Sequence, residues 1–317
     1  MKNATLRQLR VFAAVARHLS FARAAEELHL TPPAVSMQVK ELEGEVGLPL
    51  FDRSGRSVSL TTTGEYLLAY TRRILATLKD AEDAVARFKG LAGGQVTVGM
   101  VSTAKYFMPS LMARFRDEHP GVELGMKLGN REQLVAMMQR GEADLAIMGR
   151  PPKEWSTRAE PFALHPHVLV TSTQHPFTRM EQVPAAALQG EGFIMREPGS
   201  GTRAATEEYA AAHHVPLRVV MEMSSNETIK QAVMAGMGVS LLSLHTIAFE
   251  LRHGAIATPE VEGLPVMRRW HVVNTLGKLL SPPAEALRYF VLEHGQRHLG
   301  RMLGHGADDD GSADGGV

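Results

Sequence analysis

The stretch Ser20–Gly44, SFARAAEELHLTPPAVSMQVKELEG, decides how the first part of the chain folds. Ser20 is a good N-cap for a short helix, and the small residue Ala24 would let a second helix approach closely. Thr31 can cap that second helix with Pro32 at its first position, where the N–H that proline lacks has no intrahelical partner anyway. The stretch therefore predicts two short helices joined by a tight turn.

The second of these helices has one apolar and one polar face. Its apolar residues recur at a spacing of three and four, which predicts that they face inward: Ala34, Val35, Val39, Leu42 and Val46. The side chains left on the outside are Ser36, Met37, Gln38 and Lys40. This arrangement is typical of a helix-turn-helix whose second helix enters the DNA major groove, although short helical pairs also occur in enzymes.

The flanking segments favour the DNA-binding interpretation. Residues 5–18 predict a supporting helix with a continuous apolar stripe. Beyond the second helix, the segment LFDRSGRSVSL predicts a hairpin wing with its bend at Ser54-Gly55. Arg53 and Arg56 flank the tip of this wing, where a guanidinium group can reach phosphates or a narrow minor groove. The alternative for this segment is a solvated turn.

A long helix is predicted from Thr62 or Thr63 to about Leu91. Positions 67, 71, 74, 78, 81, 85 and 88 read Leu, Thr, Ile, Leu, Ala, Val and Phe, a heptad pattern that indicates a coiled-coil seam. We expect a second copy of the chain to cover this seam, and the alternative is packing against the chain's own C-terminal domain. Gly93-Gly94 would end the helix and begin the next domain.

From residue 95 onward the pattern alternates between strands and helices, which predicts an α/β fold built from crossover units. Strands are expected at 95–101, 122–128, 144–148, 167–171, 193–196, 218–223, 239–244 and 267–274. Helices are expected at 106–118, 131–140, 202–213, 227–235 and 283–298. Ligands of such sheets bind beyond the carboxyl ends of strands, at the N-termini of helices.

Polar residues follow several of these strand ends. The first half of the domain offers Ser102, Thr103, Asn130 and Gly149. The segment MREPGSGTRAATEEY, residues 195–209, adds Arg196, Thr202 and Arg203 around a glycine-rich helix start. Hydroxyls, free N–H groups and guanidinium groups suit an anion, so these residues are the predicted effector site. A plain capped helix start is the alternative for residues 195–209.

Other features restrict the possible functions. The chain has no cysteine, which removes disulfides and thiolate chemistry, and no apolar run of ~20 residues that could span a membrane. Because residues 1–10 also lack an apolar signal segment, we expect a cytoplasmic location. No Gly-x-Ser-x-Gly or His-Glu-x-x-His motif occurs, and His294 and His298 lack a third ligand, so no catalytic residue, metal or cofactor is predicted. His165, His167 and His175 are interpreted as scattered through a loop-rich stretch, and the tail 305–317 as disordered.

Residues 6–64, from LRQLRVFAAVARHLSFARAAEELHL to SLTTTG, closely resemble the DNA-binding domain of LysR-type transcriptional regulators. The resemblance extends through the long helix into an effector domain similar to periplasmic binding proteins. It implies that the recognition helix reads an interrupted palindrome in double-stranded DNA, that the wing touches the minor groove, and that linker helices dimerise. It also implies tetramers and RNA polymerase as a partner. The DNA contacts that it implies are Pro33, Ser36, Met37, Gln38, Lys40 and Arg53, although Pro32 and Met37 replace a frequent Gln and Arg.

Within this family, the segments LTPPAVSMQVKELE, VSTAKYFMP and REPGSGTR resemble the CbbR subgroup, the regulators of Calvin-cycle operons for carbon dioxide fixation. Ser102, Thr103, Asn130 and Thr202 match positions where family members hold small anionic effectors. The subgroup implies an effector of the class of phosphoenolpyruvate, ribulose bisphosphate or NADPH.

The sequence therefore predicts a homo-oligomeric, effector-responsive transcriptional regulator. Its expected parts are a winged helix-turn-helix domain at 1–61, a dimerisation helix at 62–92 and an effector domain at 93–304. Within the effector domain, subdomain I is expected at about 95–165 and 267–300, and subdomain II at about 166–266. The alternatives are an enzyme acting on a small phosphorylated acid in the same cleft and a purely structural DNA-binding protein.

Overall fold

The structure is a computed structural model that describes residues 3–52, 58–86, 93–152, 155–277 and 279–304. Two compact units divide the chain, Met1–Val85 and Ala86–Val317. Among the described residues, no helix is both long enough and apolar enough to cross a membrane. The predicted linker at 62–92 stays a prediction, because residues 87–92 lie outside the described part of the chain. The predicted subdomain limits stay predictions as well.

The first unit is mainly helical and contains a small hairpin. Its elements are α1 (Leu6–His18), α2 (Phe21–Glu27), α3 (Pro32–Val46), β1 (Phe51–Asp52), β2 (Ser59–Leu60) and α4 (Thr62–Ala86). Caps define the helix starts: Thr5 forms a capping box with Gln8, and Ser20 accepts a hydrogen bond from the Arg23 N–H. Thr31 precedes Pro32 as predicted, but within the described residues its side chain makes no capping bond.

A single apolar core holds this unit together. Val35, Val39 and Leu42 of α3 are fully buried in it, as the apolar spacing predicts. Phe12 of α1 packs against Phe51 of β1 with ring centroids 5.4 Å apart. Ala34 and Val46, which were expected to face inward, are only partly buried. The helix-turn-helix prediction is confirmed.

The second unit is built on a six-stranded sheet with the order β4-β3-β5-β10-β6-β9. These strands are β3 (Gly94–Val101), β4 (Val122–Gly129), β5 (Leu145–Met148), β6 (Thr157–Val170), β9 (Ser240–Ser243) and β10 (Val266–Thr275). β3 pairs in parallel with β4 and β5, whereas β10 runs antiparallel to β5 and β6. The helices α5 (Met108–Glu118), α6 (Arg131–Gln139) and α10 (Pro282–Met302) belong to this half.

A smaller parallel pair forms the other half of the unit. It consists of β7 (Gly192–Arg196) and β8 (Arg218–Met223), and a bridge from Phe193 to Val239 joins β7 to the segment that enters β9. The accompanying helices are α7 (Gly201–Ala212), α8 (Asn226–Met234) and α9 (Leu244–Arg252). Short 3-10 helices lie at Ser102–Tyr106, Pro176–Arg179 and Ala185–Gly190. Separate apolar clusters fill the two halves.

Three local predictions in this unit were wrong. β6 begins at Thr157 rather than at residue 167, because it pairs with β10 along its length despite Pro161 and Pro166, which make the sequence look like a loop. α9 was not predicted, since the sequence placed a strand up to Leu244 and nothing after it. The helix expected from Tyr106 begins at Met108, after the 3-10 turn.

Candidate functional site

The exposed side of α3 carries most of the residues expected to face DNA. Pro33, Met37 and Lys40 are exposed, with Met37 56% accessible, and Ser36 and Gln38 are partly exposed. Gln38 Nε2 donates to Glu41 Oε2 over 3.1 Å, so its amide is already oriented. The buried side of the same helix fixes this face in place.

The wing is attached to α3 by one carboxylate. Glu43 Oε1 accepts hydrogen bonds from the N–H groups of Leu50, at 2.8 Å, and Phe51, at 3.3 Å. Phe51 then pairs with Leu60 to form the base of the hairpin. Arg53 and Arg56, the predicted contacts at the tip, lie outside the described residues, as does the tail 305–317.

The predicted seam on α4 is only partly covered within its own unit. Thr71 is fully buried and Leu67 is partly buried. Ile74 is 41% exposed and Val85 is 58% exposed, although both are large apolar residues. Apolar surface along the later turns of a helix is the kind of surface that a partner helix covers.

A cavity lies where the strand ends of both halves of the second unit meet. It encloses about 470 Å³, including its opening to solvent. Six of the seven predicted effector residues line it, namely Ser102, Thr103, Asn130, Gly149, Arg196 and Thr202. The lining also contains Val101, Arg131, Met148, Arg150, His165, His167, Ser200, Gly201 and Arg268. The structure therefore brings together residues that are far apart in the sequence. Val101 and Arg268, the first and the last of them, are 167 positions apart.

Arg196 connects the two halves at this cavity. Its side chain is buried, and Nη1 donates to Asn226 Oδ1 over 2.6 Å. Nη2 reaches across to Ser102 Oγ at 3.1 Å, and Glu197 balances the charge through contacts of 2.7 and 2.8 Å. The segment after β7 and the segment after β3 are thus joined by one guanidinium group.

Arg203 corrects the predicted site, since it does not line the cavity. Its Nε donates to Glu207 over 2.8 Å, one turn along α7, and Nη1 contacts Glu222 at 2.5 Å. Nη1 also donates to the Arg196 carbonyl at 2.9 Å. A residue in the first turn of a helix can point into a nearby cavity or away from it. The sequence alone does not distinguish these two directions for Arg203.

Asn130 and Gly149 contribute mainly through their positions. The Asn130 side chain accepts from the Gln133 N–H at 2.9 Å and caps α6. Gly149 lies directly against His165: a Cβ at this position would be 2.7 Å from His165 Nδ1. A glycine is therefore needed for the His165 ring to occupy its place beside the cavity.

The sequence interpretation missed Arg268, His165 and His167. Arg268 comes from β10, where Nη1 donates to the Gly201 carbonyl at 2.9 Å and Nη2 pairs with Glu208 at 2.5 Å. The available signal was the two-residue spacing of His165 and His167, which places both on one face of a strand. Because the predicted strand began only at His167 and the residues before it were taken for a loop, that signal was lost.

The two histidines belong to a buried aromatic cluster. His165 stacks on Trp270 with centroids 3.8 Å apart and an interplanar angle of 17°. Trp270 Nε1 donates to His245 Nδ1 over 3.4 Å. Burial lowers the pKa of His167 to about 3 and the pKa of His245 to about 4, and it lowers that of His165 well below its ordinary value. All three rings are therefore neutral near pH 7.

The chemistry of the cavity suits an anion. Four arginines and several hydroxyls line it, and none of the described lining residues carries a carboxylate. Carboxylates stand behind two of the arginines, Glu197 at Arg196 and Glu208 at Arg268. No group of three His, Cys, Asp or Glu among the described residues could hold a metal ion. Hydrogen-bond donors and fixed positive charge are what phosphate and carboxylate groups require.

A DNA-binding helix-turn-helix protein with a second unit that carries an anion-suited cavity is the class that these features define. The family model described as bacterial regulatory helix-turn-helix protein, lysR family, matches residues 6–65, and the LysR substrate binding domain matches residues 89–296. The chain belongs to the LysR family of transcriptional regulators. The resemblance inferred from the sequence is confirmed.

Individual relatives narrow the comparison. The chain is 51% identical over 286 residues to the HTH-type transcriptional regulator CbbR of Rhodospirillum rubrum, covering 90% of this chain and 95% of the relative. It is 45% identical over 293 residues to a RuBisCO operon transcriptional regulator of Allochromatium vinosum, covering 92% and 97%. Among solved structures, the regulatory domain of Synechocystis CcmR in complex with 2-PG superposes with a TM-score of 0.61 at 38% identity, covering 63% of this chain and 96% of that domain.

Proposed function

We propose that the protein binds an interrupted palindrome upstream of its target operon and controls Calvin-cycle carbon dioxide fixation genes in response to a phosphorylated or nucleotide metabolite. The observation that carries the proposal is the cavity with four arginines, placed in a chain similar to regulators of RuBisCO operons. Its place of action would be the cytoplasm, with double-stranded DNA and RNA polymerase as partners.

The DNA contacts would come from the exposed side of α3. Ser36 and Met37 lie where a recognition helix meets base edges, and Lys40 lies one turn further, where an ammonium group reaches a phosphate. Arg53, in the wing, would contact phosphates or the minor groove. Two copies of α3 are required for a palindrome, and the exposed apolar residues of α4 support a homodimer that supplies them. Pairs of dimers would form the homotetramer.

The effector would occupy the cavity between the two halves of the second unit. Hydroxyls of Ser102 and Thr103 from one half and of Thr202 from the other converge there. The bound 2-PG named for the CcmR domain supports a phosphorylated ligand at the corresponding domain of this chain. Phosphoenolpyruvate, ribulose bisphosphate and NADPH are the candidate effectors. A ligand that contacts both halves shifts the equilibrium between two arrangements of these halves. The size of the shift is set by the difference between its affinities for the two arrangements.

The test combines calorimetry with footprinting on the full-length protein. Phosphoenolpyruvate, ribulose bisphosphate, NADPH and 2-PG are titrated first, and DNA protection upstream of RuBisCO genes is then compared with and without each binder. We expect at least one of them to bind and to change the footprint, while Thr202→Ala and Ser102→Ala remove the response. Binding of none, or an unchanged response in both variants, contradicts the proposed effector site.

A further inference from the structure

The histidine pair, His165 and His167 on β6, has unused hydrogen-bonding capacity at the cavity. The two rings are 4.4 Å apart between centroids and are 4% and 1% exposed. Among the described residues, neither ring nitrogen of His165 has a hydrogen-bond partner, and Nε2 of His167 has none either. Buried polar atoms without partners are costly, by ~1–3 kcal/mol each, and their retention beside a cavity points to a ligand.

The tautomer of His167 follows from its one contact. Its Nδ1 lies 3.3 Å from the His165 carbonyl oxygen, which can only accept, so Nδ1 carries the hydrogen. Burial and the charge of Arg268 lower the pKa of His167 to about 3, so the ring is neutral. In a neutral ring with hydrogen on Nδ1, Nε2 is a hydrogen-bond acceptor.

Burial, more than any facing group, keeps the pair neutral. Burial is the largest cause of the lowered pKa of His165, and it is lowered further by His167, by His245 from α9, and by Arg268 and His271 from β10. His245 is already used, because it accepts from Trp270 Nε1. His165 therefore remains a neutral ring with one N–H donor and one acceptor, both directed to no other described group.

An ionised phosphate or carboxylate offers only acceptors, so it cannot satisfy His167 Nε2. A hydroxyl can, since it donates one hydrogen and accepts others. We propose that the histidine pair is a hydroxyl-recognising subsite, in which His167 Nε2 accepts from a ligand hydroxyl and His165 donates to a neighbouring ligand oxygen. This inference rests on the proposed function and narrows it: the effector is a phosphate ester with a free hydroxyl, which ribulose bisphosphate and NADPH carry and phosphoenolpyruvate lacks.

Two matched compounds test the subsite on the full-length protein by calorimetry. The first is 3-phosphoglycerate, and the second is 3-phosphooxypropionate, which differs only in lacking the 2-hydroxyl. We expect the wild type to bind the hydroxylated compound about tenfold more tightly, because removing the donor leaves a buried acceptor unpaired. In His167→Phe, which has no acceptor, the ratio of the two affinities should fall to about one. His167→Gln keeps an acceptor oxygen and should retain part of the preference.

Each outcome decides the inference. Equal wild-type affinities for the two compounds overturn it and leave the proposed function standing, and they do so even when His167→Phe does not fold. A preference that survives in folded His167→Phe also overturns it. Binding of neither compound overturns it as well, and failure of the wider metabolite set separately defeats the proposed function. Titration in buffers of different ionisation enthalpy should detect no proton uptake; uptake of about one proton would mean that His167 becomes a cationic donor, contrary to the inference.

Discussion

The exposed side of α3 and the cavity of the second unit are both surfaces prepared for a partner, but they are assembled differently. The α3 face takes its residues from one continuous helix, between Pro33 and Lys40. The cavity takes its residues from strand ends and helix starts scattered between Val101 and Arg268. The first surface needs only a correctly formed helix, whereas the second exists only when distant parts of the chain are packed together. This contrast has measurable consequences, the largest of which is expected in the response to acid.

Mild acid should destabilise the second unit and spare the first. The pKa values of His167 and His245 are lowered by burial to about 3 and about 4, from an ordinary value of 6.5, and that of His165 is lowered as well. Between pH 6.5 and 4 the unfolded chain therefore binds more protons than the folded one. Stability that is complete above pH 6.5 is lost as the pH falls, by ~1.4 kcal/mol per pH unit for each histidine.

Hydrogen exchange at pH 7 and pH 5, compared for the two units, measures this difference. Protection of the second unit should fall by several kcal/mol after correction for intrinsic exchange, with little change in α1–α3. Replacing His167 with Phe should reduce the slope of unfolding free energy against pH by the contribution of one histidine, ~1.4 kcal/mol per pH unit. Equal losses in both units would show that the buried histidines do not control the acid response.

The predicted seam on α4, in which Leu78 is partly buried, should decide whether two α3 helices act together. Leu78→Asp would place a carboxylate in the proposed dimer contact, at a cost of several kcal/mol, about 3–5 for an unpaired buried charge. We expect dissociation to monomers in sedimentation and loss of binding to a two-fold DNA site. The control Thr77→Asp adds the same charge at the neighbouring exposed position outside the seam and should leave the dimer intact. A stable Leu78→Asp dimer would place the contact elsewhere.

Gly149→Ala should disturb the cavity without a change in charge. The added Cβ would lie 2.7 Å from His165 Nδ1, so the ring must move from its stack on Trp270. We expect a loss of about 1–3 kcal/mol in unfolding free energy, together with weaker effector binding. Gly190→Ala is the matched control, since a Cβ there meets no described atom within 4 Å. Unchanged stability and effector affinity in Gly149→Ala would mean that the His165 position is not tightly fixed.

The smallest effects should come from single residues of the α3 face. Lys40→Ala should weaken binding to all DNA sequences alike and reduce the salt slope by about one, because it removes one phosphate contact. Ser36→Ala should instead change the preference at one base position, by about 1 kcal/mol. Binding measured on a set of single-base variants at two salt concentrations separates these results. If both substitutions acted uniformly across sequences, α3 would not be the reading element.

The predictions from the sequence were accurate where neighbouring residues carry the structure. Ser20 caps α2, Pro32 starts α3, and Val39 and Leu42 are buried in the core of the first unit. Each of these features depends on a spacing of three or four residues, which the printed sequence displays directly. The family resemblance had the same origin, since it was carried by continuous segments of the sequence, above all residues 6–64.

Prediction was less complete in the second unit for a physical reason. β6 is held by pairing with β10, so its prolines and polar residues do not prevent strand formation, and the sequence of β6 alone resembles a loop. Arg203 was placed at the site because it follows Thr202, but Glu207 and Glu222 direct it away. Arg268 was overlooked because it is distant from Gly201 in the sequence, and the hydrogen bond between them forms only in the folded chain.

The helix-turn-helix, the α/β character of the second unit and six of the residues that line the cavity could be predicted from the sequence, because these depend on local caps, periodicity and strand ends. Long-range packing was needed to show that His165 lies beside Gly149, that Arg196 reaches Ser102, and that Arg203 points away. Side-chain direction and charge pairing at this cavity depend on contacts between β3, β6, β7 and β10. Such contacts join residues far apart in the chain, and no local spacing encodes them.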